Sequence, residues 1–142
     1  MGTFQADMRA ASVTMLRAYA AAVNVRLQVH PARPRSLAPP TAFVNRISAA
    51  INFDGIRQNL VSVELVVLHG LFDSKDAVEQ RDVFVDGFVD WASEQYHAAG
   101  ANTILEPRAI EDDPSYVPDW MPLQEQKAYF ATLITLEGFA GG

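Results

Sequence analysis

Leu60-Val61-Ser62-Val63-Glu64-Leu65-Val66-Val67-Leu68-His69 is the stretch on which the fold turns. Val61, Val63, Leu65 and Val67 share one parity, so in an extended chain they line a single face. Leu60, Val66 and Leu68 make the opposite face apolar as well, which places this strand at the centre of its sheet. Just upstream, Phe43, Ile47, Ala49, Ile51 and Phe53 share a parity, and Asp54-Gly55 supplies the positive φ values of a tight hairpin turn.

Before the hairpin, residues 30–40 read His-Pro-Ala-Arg-Pro-Arg-Ser-Leu-Ala-Pro-Pro. Fixed φ angles and missing N–H donors exclude both helix and central strand, so the segment is a stiff, extended arm. Further back, Val23, Val25, Leu27 and Val29 alternate with polar residues as a half-buried strand does. Phe4, Met8, Ala11, Met15, Ala18, Tyr19 and Ala22 recur at helical spacing, with Thr3 as N-cap. The switch from helix to strand falls near residue 23.

Downstream, Asp73 or Ser74 caps a second helix that runs to about Ala99 and stops at Gly100. Ala77, Phe84, Phe88, Ala92, Tyr96 and Ala99 form its buried stripe with Val85 and Val89 beside it, and Asp76, Glu79, Asp82, Asp86, Asp90 and Glu94 form the outer surface. Gly87, in mid-helix, points to close approach by another backbone or is simply tolerated. Asn102 to Glu106 reads as a short strand, Pro107 to about Gln126 as a polar, proline-punctuated loop, and Ala128 to Leu136 as the last strand, with the terminal glycines a frayed tail. The expected architecture is α+β: two main helices packed on one face of a four- to five-stranded, mostly antiparallel sheet, with a proline-rich arm and a long loop before the last strand. Residues 1–142 form one domain, a length that buries a sizeable core.

Apolar residues make up 49% and charged residues 20%, a globular balance. No stretch approaches the roughly 20 apolar residues of a membrane span, and the amino terminus lacks the pattern of a secretory signal. There are no cysteines, so disulfides, thiolate metal sites and cysteine nucleophiles are excluded. A net charge of −6 disfavours general binding to a phosphate backbone.

That charge is divided by position. Residues 1–46 carry six arginines against Asp7, about +5, while residues 73–119 carry twelve acids against Lys75, Arg81 and Arg108, about −9. Opposed faces favour docking the front of one copy on the back of another, and such heterologous contacts close into rings or grow into filaments. The plainer alternative is a solvated acidic helix beside an arginine-bearing strand. Candidate subunit-interface residues are Arg33, Arg35 and Arg46 on the basic side and Asp82, Asp86 and Asp90 on the acidic side. Tyr116 and Trp120, flanked by Pro118 and Pro122, form a candidate partner-binding loop, unless both rings fold back over a gap in the core.

No catalytic, cofactor or metal constellation is present in the sequence. His30, His69 and His97 lack the spacing of a helical metal site, and Glu111, Asp112 and Asp113 read as a solvated run rather than a cation site. No nucleophile elbow, phosphate loop or dinucleotide fingerprint occurs.

The leading helix, Pro31-Ala-Arg-Pro-Arg-Ser-Leu-Ala-Pro-Pro40 directly before Thr41-Ala-Phe-Val-Asn-Arg-Ile47, the strand Val61-Ser-Val-Glu-Leu-Val-Val-Leu68, the helix opening Asp73-Ser-Lys-Asp-Ala77 and the closing Tyr129-Phe-Ala-Thr-Leu-Ile-Thr-Leu136 together resemble the tail terminator proteins of long-tailed, siphovirus-type bacteriophages. The resemblance spans nearly the whole chain and rests on patterns of residue type. It implies a structural virion protein, without enzymatic activity or cofactor, that caps the completed tail tube as a hexameric ring, stops tube elongation and forms the head-tail joining surface. Its implied partners are further copies of itself, the tail tube protein and a neck or head-completion protein. DNA would be transiting cargo, and no membrane is involved. Its implied place is the head-proximal end of the tail, after assembly in the host cytoplasm. A neck adaptor or tail-completion protein is the alternative within the virion, and a small-ligand-binding or catalytic α+β domain is the alternative outside it. The acidic surface would either line the lumen and let DNA slide, or meet the arginines of a neighbour at the seam.

Overall fold

A computed structural model describes residues 4–52, 58–96 and 104–141. Two helices and five strands follow in the order α1 (Phe4–Ala22), β1 (Gln28–His30), β2 (Thr41–Asn52), β3 (Gln58–Leu71), α2 (Lys75–Tyr96), β4 (Ile104–Tyr116) and β5 (Tyr129–Gly141). The sheet order is β1-β2-β3-β5-β4, with β1 parallel to β2 and every other pairing antiparallel. The fold is therefore α+β, and β3 is the central strand. Thr3, the Asp54-Gly55 turn, His97, Ala99 and Gly100 lie outside the described residues.

Both faces of β3 are covered. Val61, Val63, Leu65 and Val67 join Ala42, Val44, Ile134 and Leu136 beneath Met8, Leu16 and Tyr19 of α1 and Phe84 and Phe88 of α2. On the other face Val66 and Leu68 meet Phe43, Tyr129 and Ala131, and Leu37, Tyr116 and Trp120 pack over them. A parallel pair cannot be joined by a hairpin. Residues 31–40, without helix or strand, carry the chain from the end of β1 back to the start of β2 and bring Leu37 onto this second face.

α1 ends in a Schellman arrangement. Asn24 has φ 57°, its N–H reaches Ala21 O at 3.3 Å, and the Val25 N–H reaches Ala20 O at 2.9 Å. The expected strand from residue 23 is consequently only Gln28–His30, because the cap consumes the first residues of the alternating run. Met8, Leu16 and Tyr19 are buried, as are Ser12 and Val13, whereas Ala18 and Ala22 are exposed. Arg17 donates to Val29 O of β1 and Arg9 to Pro31 O just beyond it.

Three further expectations are corrected. A register shift between Val44 and Arg46 turns Phe43 to the face opposite Ile47, since one extra residue inverts every later side chain. β4 extends to Tyr116 through the segment expected to be loop. Its register shifts fall at Pro107/Ala109 and in the Pro114 region between Asp113 and Tyr116, and an edge strand tolerates prolines at such irregularities. β5 continues through Gly138 to Gly141 instead of fraying after Leu136. The remaining connection, residues 117–128, holds a short 3-10 turn at Leu123–Glu125.

In α2, Ala77, Phe84, Phe88 and Ala92 are buried as expected, while Val89 is 48% exposed. Gly87 is explained by a side chain rather than a backbone. A Cβ there would lie 2.5 Å from the Tyr19 hydroxyl, which donates to Phe84 O at 2.7 Å. The Tyr19 ring meets Phe84 and Phe88 edge-on, with centroids 5.2 and 5.3 Å away. Burial first, then Asp86, pushes the Tyr19 phenol up to about 12, so it stays a donor. Gly87→Ala should lower stability by about 1–3 kcal/mol despite alanine's better helix propensity. In a Tyr19→Phe background the same change should become neutral or stabilising, as measured by chemical denaturation of the double-mutant cycle. Equal effects in both backgrounds would refute the contact as the reason for glycine.

Candidate functional site

The six candidate interface residues lie on two separated surfaces. Asp82, Asp86 and Asp90 are exposed on the outer side of α2, whose inner side packs on β3, β5 and β4. Arg33 and Arg35 are exposed on the arm and Arg46 is exposed on β2, opposite Glu64 in the register and so on the sheet face turned away from both helices. The sheet thus separates Arg33 and Arg46 from the three acids of α2. Other charges distant in sequence do meet, since Arg81 pairs with Asp112 and Arg26 lines one cavity with Asp76 and Glu79.

Not every charge is equally available. Arg33 donates through Nε to Asn45 Oδ1 at 2.8 Å and lies 5.0 Å above the Trp120 ring. Asn45 passes the contact on, donating to Glu64 Oε1 at 2.8 Å. Arg81 pairs with Asp82 and with Asp112 of β4, and these hydrogen bonds raise its pKa. Arg108 pairs with Glu137 at 2.8 Å. Arg35, Arg46, Asp86 and Asp90 make no ion pair among the described residues and are the more accessible members of the two sets.

Tyr116 and Trp120 do come together, with centroids 6.4 Å apart, and they turn inward. Trp120 meets Phe43 edge-on at 5.2 Å and donates Nε1–H to Pro34 O at 3.3 Å. Burial outweighs the nearby Arg33 and pushes the Tyr116 phenol up to about 12. The pair therefore acts as a latch between the 117–128 connection, the arm and the second sheet face. The outward apolar groups of that connection are Val117, 44% exposed, and Leu123, 83% exposed.

A second polar assembly, absent from the sequence reading, lies under α2. His69, 4% exposed, holds Thr132 Oγ1 at 2.7 Å through Nε2. Thr132 donates to Asp112 Oδ1 at 3.5 Å, and Asp112 receives Arg81. The short His69–Thr132 contact is the stronger of the two, and the His69 tautomer sets which partner donates in it. Burial first, with Arg81 in support and against the pull of Asp112, lowers the His69 pKa to about 4. Asp112, read as part of a solvated acidic run, is a structural ion-pair partner because β4 carries it to the level of Thr132. Nothing in the local pattern marks Thr132 or Arg81, since their contacts join residues 20 and 31 positions from Asp112.

Among the described residues no group of three metal-ligating side chains converges, and no helix is long and apolar enough to cross a membrane. No family model matches the sequence, and no curated protein matches it.

Two outcomes follow from this geometry. Trp120→Ala removes the ring that holds Phe43, Arg33 and Pro34, and should cost about 2–4 kcal/mol while opening the 31–40 arm to limited proteolysis. An arm as resistant as in the parent chain would discount the latch. For His69, the folded pKa lies below the unfolded value of 6.5, so stability is full above that pH and is lost as pH falls towards 4. Denaturation curves should show about 3 kcal/mol more loss between pH 7.5 and 4 for the parent chain than for His69→Gln. Parallel pH profiles would contradict a neutral buried imidazole.

Proposed function

We propose that this chain is a ring-forming structural subunit of the tail-terminator type, which caps the head-proximal end of a phage tail tube and offers the surface that joins tail to head. The observation that supports the reading is that exposed Arg46 lies on the sheet face turned away from the helices while exposed Asp86 and Asp90 lie on the outer side of α2. Unlike patches on opposite sides cannot be satisfied by a two-fold contact, but they are satisfied when each copy presents its acidic helix to the arginines of the next. Such contacts close when the rotation between copies closes, and six copies is the number that the family resemblance implies. The sheet edges are consistent with contact through side chains rather than strand addition, since Arg17 occupies the Val29 carbonyl of β1, Arg9 that of Pro31 just beyond it, and prolines interrupt β4.

In this reading the partner-facing element of the 117–128 connection is Leu123, with Val117 beside it, while Tyr116 and Trp120 hold the connection in place. The polar remainder of the second sheet face, with Ser48, Ser62, Glu64, Thr135 and Glu137, is uncovered by any helix and can stay hydrated in a lumen through which DNA passes. A capping ring needs shape and charge and no reacting group, so the reading requires no enzymatic activity and no cofactor.

Native mass measurement, alone and with tail tubes, tests the assembly. The parent chain should form a closed ring that salt weakens. Arg35→Glu with Arg46→Glu should shift it to the monomer, and adding Asp86→Arg with Asp90→Arg should restore the ring. An unchanged ring in the doubly reversed arginine variant removes the seam, and a parent chain that stays monomeric on tail tubes removes the capping role.

A further inference from the structure

The two most exposed large apolar side chains among the described residues are Leu123, 83% exposed, and Val83, 64% exposed. Leu123 stands on the 3-10 turn of the 117–128 connection. Val83 stands on α2 beside a cavity of about 510 Å³ on the helix-covered face, with Val25, Leu27, Pro40, Val67 and Phe84 as its apolar walls. An apolar knob on one part of a subunit and an apolar hollow on another are the elements of a head-to-tail contact.

Knob and hollow do not meet within one chain. The connection is latched to the second sheet face, where Trp120 packs on Phe43 and donates to Pro34 O. The cavity lies on the other face, and at 83% exposure Leu123 is not inside it. The knob is also preorganised. Glu125 N–H reaches Pro122 O at 2.8 Å, Gln126 N–H reaches Leu123 O at 3.2 Å and Gln126 Nε2 reaches Met121 O at 2.9 Å, so the turn is closed on itself. A side chain already held in place loses little entropy on docking.

The charges around each part fit. At the cavity mouth Arg26 and Lys75 stand against Asp76 and Glu79, two cations against two acids, and Lys75 pairs with Glu79 at 3.9 Å. A balanced mouth suits the uncharged Pro122-Leu123-Gln124 better than an ion. The flanks, in contrast, are opposite in sign. Val83 shares one stripe of α2 with Asp86 and Asp90, three and seven residues on. Arg33 of the arm lies 5.0 Å above the Trp120 ring, so the arginines adjoin the connection that carries Leu123. A seam that brings Asp86 and Asp90 to the arm of the next copy therefore brings Val83 towards that copy's Leu123.

We infer that Leu123 of one copy inserts into the cavity beside Val83 of the next, giving the seam an apolar centre between its charged flanks. The inference rests on the head-to-tail assembly proposed above. Exposed ion pairs alone contribute little and are screened by salt, so the buried leucine supplies most of the affinity.

The sequence has no cysteine, so introduced thiols report the contact directly. Gln124 adjoins the knob, Gln80 lines the cavity, and both are exposed. Full-length Gln124→Cys and Gln80→Cys chains, distinguished by isotope labelling and mixed with a short bis-maleimide, should join as unlike covalent dimers several-fold faster than either joins to itself. Adding Leu123→Asp to the Gln124→Cys chain should abolish that preference. Leu123→Asp alone should raise the midpoint concentration of assembly about ten- to a hundredfold, as expected for one buried leucine, with the melting temperature of the monomer unchanged. Absence of the unlike dimer, a preference that survives Leu123→Asp, or an assembly that Leu123→Asp leaves at parental strength would each overturn the inference, and a ring that still caps tubes would then leave the ring reading standing. Unlike dimers that extend into open chains and never cap a tube would support the knob contact and remove the capping role.

Discussion

A central strand that is apolar on both faces imposes the layered order of the molecule. Val61, Val63, Leu65 and Val67 on one side and Val66 and Leu68 on the other are all essentially inaccessible to water. Each such side chain contributes about 1.5–3 kcal/mol by leaving water, so neither face of β3 can be left bare. Two amphipathic helices suffice for the first face. The second is covered by loops, which is why an arm rich in proline and a twelve-residue stretch around Trp120 are held down so firmly. The proline arm is already extended when unfolded and so loses less entropy on docking than a flexible loop would.

The polar contacts are arranged around that layering. Tyr19 reaches from α1 to the backbone of α2 and joins the helices at Gly87, so the two move as one layer. Arg9 and Arg17 tie the same helix to the end of the sheet. Arg81 runs from α2 to Asp112 at the opposite edge, and the His69–Thr132 pair completes the link beneath it. Both helices are thereby tied to the sheet by side-chain hydrogen bonds.

The places where sequence and structure part have a common cause. Phe43 and Ile47 have the same parity, yet the irregularity at Asn45 sends them to opposite faces. Pro107 to Tyr116 looks like loop by composition, yet β5 offers a long partner edge and the prolines sit at register shifts. Tyr116 and Trp120 read from sequence either as a partner anchor or as rings folded back over the core, and the gap left by Phe43 and Leu68, which they fill, decides between the two. In each instance the deciding neighbour is distant in sequence.

By itself, then, the sequence determined the helices, the central strand and the two-faced apolar pattern, because these follow from backbone periodicity. Tertiary structure alone decided the β-bulges, the length of β4, the inward turn of Trp120, the Tyr19–Gly87 contact and the chain from His69 to Arg81. Periodicity is a local property of φ and ψ, readable along a few residues. Which side chain fills a gap or accepts a proton depends on surfaces brought together only when the sheet has closed and the helices have docked on it.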